Sequence, residues 1–156
     1  HVGVYQTALA LTGALDTSTA LKAKFSMPYC IAACIVLGQV NLDAFTEKAL
    51  SNERILSLAA RVKVVHDPAC DEGYPAWRRE TLRIALKDGR VLVGHTDLPD
   101  GHPPAEFLEN KFSSLACRSI SPEKAWELQE TVLSLNGSQK MSTLGTLIRK
   151  EVCYGQ

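Results

Sequence analysis

Residues 77–96 read WRRETLRIALKDGRVLVGHT, and this stretch decides the fold. Leu82, Ile84 and Leu86 alternate with Thr81, Arg83, Ala85 and Lys87; beyond Asp88-Gly89-Arg90, Val91 and Val93 resume the alternation. A strand places successive side chains on opposite faces, so a period of two gives one covered face and one wet face. Asp-Gly between two such runs supplies the positive φ of a tight turn and predicts a hairpin. An antiparallel sheet is thus the frame on which the remaining segments must pack.

Upstream, Val2 to Leu11 opens with β-branched and aromatic residues and reads as a strand, and Thr12 to Thr19 as a loop. Ser26 is placed to cap a helix with Pro28 in its first turn and Gly38 as its stop. Nearly every position from Cys30 to Leu37 is apolar, so this helix is expected to be buried all round. Asp43 to Leu50 reads as a short amphipathic piece. Ser51 is expected to cap a helix bearing Ile55, Leu58, Ala59 and Val62, followed by a strand through Val64 and Val65 that Asp67-Pro68 ends; Asp71 to Pro75 reads as loop.

Downstream, Leu108, Phe112 and Leu115 share a helical face after Pro103-Pro104. Ser121-Pro122 opens a second helix with Ala125, Leu128, Val132 and Leu135 on its core face and Asn136-Gly137 as its stop, and a third runs from about Ser142 to Lys150. This order predicts an α+β fold: an antiparallel β-sheet with helices packed on one side, a two-layer sandwich forming a single domain over residues 1–156.

Composition bounds the function. The 156 residues carry 17 Lys+Arg against 17 Asp+Glu, and this balance argues against a general nucleic-acid or anionic-membrane surface. The apolar run from Cys30 to Leu37 is far shorter than the ~20 residues that span a bilayer. Five cysteines (30, 34, 70, 117 and 153) form no regular framework, which suits free thiols in a reducing, cytoplasmic compartment. Cys30 and Cys34 read as small core hydrophobes. His66 and Cys70 have no second pair to complete a tetrahedral set, so no metal is expected. The chain begins at His1 with residues that read like mid-domain sequence, which points either to a removed tag or leader or to a cut from something longer.

Two segments carry candidate chemistry. Lys24, Ser26 and Tyr29 place an ammonium, a hydroxyl and a phenol at the start of the apolar helix, where unpaired N–H groups and the macrodipole favour anions. Carboxylate recognition by Lys24 and the helix start at Ser26 is chemically reasonable; the same residues also suit a plain cap, a solvated lysine and a core tyrosine. His102, bracketed by Gly101 and Pro103, is a candidate general acid/base or a surface histidine at a helix entry.

The Lys24-Phe25-Ser26 run followed by Tyr29, with the small-residue helix ending at Gly38, resembles the "KFS…Y" segment of the MmgE/PrpD family. Phe45-Thr46, Arg61-Val62-Lys63-Val64, Leu86 to Arg90, Gly101-His102-Pro103 and Leu108 to Phe112 follow collinearly, and the likeness runs from about Val2 to Lys150. Met27-Pro28 stands where the family usually has other residues, and the segment after Gly101-His102-Pro103 is shorter than the family's.

The resemblance implies the smaller α+β lid domain of enzymes that also have a large helical domain, which is absent here. It implies lyase or isomerase chemistry on small di- and tricarboxylates, by proton abstraction or return and without a metal or organic cofactor. On this footing Lys24 and Ser26 would bind substrate and Tyr29 and His102 would be catalytic. The chain alone is expected to be inactive, with the helical domain or a second copy as the partner of its apolar surface. A free-standing, non-catalytic binding or self-assembly module is the other reading.

Overall fold

The computed structural model describes residues 1–99, 103–135 and 141–149. Internal contacts group the chain into two compact units, His1–Gly101 and His102–Gln156.

The first unit is built on a four-stranded sheet in the order β2-β1-β3-β4. The hairpin read from the sequence is its longer half: β3 (Trp77–Ala85) and β4 (Val91–Pro99) pair antiparallel from Trp77 opposite Pro99 to Ala85 opposite Val91. Gly89 turns between them at φ 86°, a left-handed backbone that a side chain would strain. β1 (Val2–Val4) pairs antiparallel with β3 and parallel with β2 (Val64–His66). The class is α+β as expected, while the sheet is mixed because β1 and β2 run in the same direction.

The segment expected as one strand from Val2 to Leu11 divides: β1 stops at Val4 and α1 (Gln6–Thr12) begins. Only three residues of β1 find partners on each side, and the Ala/Leu-rich remainder favours helix. Val2, Val4 and Ala8 form a buried cluster with Met27, Ile31, Val62, Val64 and Leu82 packed against it, so helices cover this face of the sheet. On the other face α6 (Pro68–Asp71), expected as strand end and loop, is capped by Asp67 and buries Cys70, whose Sγ lies 3.6 Å from the Gly3 carbonyl.

A second cluster is made largely of small residues: Ala23, Tyr29, Ala32, Ala33, Ala44, Ile55 and Ala59. It joins α2 (Ala20–Lys24), α3 (Met27–Leu37), a 3-10 turn (Leu42–Phe45) and α5 (Glu53–Ala59), with α4 (Glu47–Leu50) between the last two. Alanines at these positions let the backbones approach closely. α2 was not foreseen; the Thr19 side chain accepts from the Lys22 N–H and starts it. Asn52 rather than Ser51 caps α5, accepting from Arg54 and Ile55. α3 is not buried all round, because α5 and the sheet cover only part of it: Ile35 is 51% exposed and Leu37 43%.

The second unit contains α7 (Ala105–Ala116), α8 (Pro122–Leu133) and α9 (Met141–Arg149). Ser121 caps α8 and Pro122 opens it, as the sequence indicates. Of the expected core face, Ala125 is buried and Leu128 half-buried, whereas Val132 and Leu135 are exposed. The proposed stop at Asn136-Gly137 lies outside the described residues.

Candidate functional site

The Lys24–Tyr29 segment joins α2 to α3 through one bend. Phe25 ends α2, and Ser26, with extended backbone, starts α3. Ser26 is 1% exposed, and its Oγ accepts from the Tyr29 N–H at 3.4 Å. Its own N–H donates to the Ala23 carbonyl at 3.1 Å, and its carbonyl accepts from the Cys30 N–H at 2.9 Å. Ser26 therefore fixes the angle between the two helices. At the other end Gly38 takes the left-handed conformation (φ 82°), and its N–H donates to the Cys34 carbonyl.

Tyr29 is fully buried, and its hydroxyl donates to the Ala44 carbonyl at 2.6 Å. That bond ties α3 to the 3-10 turn. Burial pushes the phenol pKa up, with a smaller push from Cys30. Phe45 packs against the Tyr29 ring at a centroid distance of 6.1 Å. Above Phe45 sits Lys24, its Nζ 5.6 Å from the ring centroid. The stack Tyr29–Phe45–Lys24 thus runs from core to surface, with a buried phenol at the bottom and an exposed ammonium at the top. An aromatic face under an ammonium holds it by cation–π attraction while leaving its outer side open to an anion.

Around Lys24, Leu21 and Phe25 are 66% and 60% exposed. The structure brings Lys24, Ser26 and Tyr29 together as one assembly. His102 lies outside the described residues.

Two features of the first unit were not singled out from the sequence. Asp71 accepts from the Gln6 N–H at 2.9 Å and pairs with His66 Nε2 at 2.6 Å, linking α1, β2 and α6. Its carboxyl pKa is lowered, first by the Gln6 N–H and then by His66. The Asp67-Pro68 cap signature could have revealed α6 and so placed Asp71. The other is Glu80, which is in phase with Leu82 and Ile84 on the face that meets the helices. Burial pushes its carboxyl pKa up. Among the described residues no group of three or more His, Cys, Asp or Glu side chains could hold a metal ion. No helix among them is long and apolar enough to cross a membrane.

The MmgE/PrpD C-terminal domain matches this chain over residues 1–136. The chain belongs to the MmgE/PrpD family. It is 30% identical over 138 residues to the cis-aconitate decarboxylase-like protein oryM of Aspergillus oryzae (strain ATCC 42149 / RIB 40), covering 86% of this chain and 28% of that protein. To the cis-aconitate decarboxylase of Homo sapiens it is 24% identical over 132 residues, covering 82% of this chain and 27% of the human protein. The chain thus spans little more than a quarter of the curated relatives it matches.

Proposed function

We propose that this chain is the lid portion of a lyase or isomerase that acts on small di- or tricarboxylates without a cofactor, of the cis-aconitate decarboxylase or 2-methylcitrate dehydratase type. The observation that carries the proposal is the exposed Lys24 ammonium, held over Phe45 at the end of α2, just before the Ser26 cap of α3, in a chain of this family. Lys24 would pair with a substrate carboxylate. The resemblance would also put Ser26 and Tyr29 at the substrate. Their burial, and the commitment of the Tyr29 hydroxyl to Ala44, support a different role: they set the position of Lys24 and of the helix start. His102 is retained as a proposed acid/base.

The chain alone would be inactive, since general acid/base chemistry needs a constellation held to fractions of an ångström. The exposed Leu21 and Phe25 beside Lys24 support a partner surface here, namely a helical domain of the kind the family carries. Unpaired Cys30, Cys34, Cys70 and Cys117 support a reducing, cytoplasmic setting.

Nuclear magnetic resonance titration of cis-aconitate into the chain tests the reading. Amide shifts should centre on residues 24–29 and disappear in Lys24→Met. Shifts that persist unchanged in that variant would remove Lys24 from the site.

A further inference from the structure

A cavity of about 270 Å³ lies on the helix-facing side of the hairpin, at some remove in chain position from Lys24. Val2, Ile31 and Leu82 give it apolar walls, Glu80, Gly94 and Thr96 lie at its other end, and Thr81 and His95 border it. The register explains its shape. Leu82 is paired with Gly94, so a side chain is missing where β4 would otherwise fill the space. A Cβ built on Gly94 meets nothing within 4 Å.

The polar end is equally specific. Glu80 and Thr96 are directly opposite in the β3–β4 ladder, so their side chains share one face and reach the same volume. Both residues are half-buried. Burial has removed part of the hydration of the Glu80 carboxylate and pushes its pKa up. A partly desolvated carboxylate is unfavourable, and a cation with N–H donors relieves it. His95 also lines the cavity, but strand alternation places its side chain on the opposite face with Thr81.

We propose that this cavity is a binding site for a small primary amine with a compact apolar body. The ammonium donates to the Glu80 carboxylate and the Thr96 hydroxyl, and the apolar body lies over Gly94 against Val2, Ile31 and Leu82. The pocket is large enough for a branched alkyl group of five or so carbons but not for a drug-sized ligand, which takes roughly 300–1,000 Å³. This ligand class differs from the carboxylates proposed for Lys24, and the site does not depend on that reading.

Isopentylamine, isopentanol and isovalerate titrated separately into the 15N-labelled 156-residue chain at pH 7 test the proposal. The amine should shift the amides of residues 80–82 and 94–96 and bind roughly tenfold more tightly than the alcohol, as a charge-assisted bond implies. Glu80→Gln should erase the preference for amine over alcohol. Gly94→Leu, which fills the floor, should abolish binding of both; Thr96→Val, a smaller change, should weaken the amine alone. Circular dichroism checks that each variant is folded. Equal affinity for amine and alcohol in the parent chain would overturn the proposal, as would shifts that Gly94→Leu leaves intact. Binding of N-acetyl-lysine methylamide as tightly as isopentylamine would assign the ammonium to a partner protein's lysine and overturn the small-amine reading.

Discussion

Replacing Tyr29 by Phe separates a positioning role from a chemical one. The substitution removes one oxygen and leaves the ring that packs on Phe45. The lost bond is the 2.6 Å donation to the Ala44 carbonyl, with both residues at 0% exposure. Water cannot replace the donor without opening the small-residue cluster. A buried carbonyl stripped of its partner costs roughly 1–3 kcal/mol, so about 2 kcal/mol is expected. At this chain length each kcal/mol moves the melting temperature by roughly 2–4 °C, giving a fall of roughly 4–8 °C. Trp77 and Trp126 lie in different units, so the melt is best followed by Trp77 fluorescence in a Trp126→Phe background. A shift below about 1 °C would show that the hydroxyl contributes little to packing, against the reasoning from buried polar groups, and would return Tyr29 to the set of substrate-facing residues.

Ser26→Ala should lower stability by about 1 kcal/mol, the usual cost of losing an N-cap side chain, measurable by urea denaturation. Asp71→Asn should lower the melting temperature at neutral pH. The Asp71 pKa is depressed below its ordinary 3.8 in the folded chain, so its contribution is present above that value and is lost as pH falls through the folded pKa; the two melting curves should converge in acid. Glu80 behaves oppositely. Its folded pKa is raised above the ordinary 4.5, so ionisation opposes folding at neutral pH, and Glu80→Gln should melt no lower than the parent at pH 7, with any advantage gone once Glu80 is protonated in both states.

Local punctuation was legible in the sequence because its physics is local. Ser26, Pro28 and Gly38 bound α3 through capping and a left-handed stop, and Asp88-Gly89 turns the hairpin; neither needs knowledge of distant partners. What escaped depended on tertiary packing. β1 ends at Val4, where the parallel β2 also ends at His66 although β3 runs on to Trp77, and no periodicity within Val2–Leu11 encodes that length. The parallel β1–β2 pairing likewise depends on where α1 to α5 return the chain. Apolar character across all of α3 suggested full burial, yet coverage depends on how many neighbours arrive, and Ile35 and Leu37 remain outside.

The candidate site divides in the same way. Lys24, Ser26 and Tyr29 were visible as chemistry at a helix start. Phe45, which seats Lys24, is 21 residues away in sequence and joins only through the fold. Glu80 carried a readable signal, a carboxylate in phase with Leu82 and Ile84, but the missing side chain at Gly94 acquires meaning only once the β3–β4 register is known.

The central claim, that this chain is a lid supplying Lys24 to a carboxylate substrate, is tested most directly by release of carbon dioxide from cis-aconitate. The chain would be grafted in place of the matching C-terminal quarter of the human cis-aconitate decarboxylase. The account predicts turnover by the graft, none by the chain alone, and a loss of roughly 100-fold or more on Lys24→Met, the scale expected when a positioning charge is removed. A Lys24→Met graft as fast as the unsubstituted one, or turnover by the isolated chain, would contradict it.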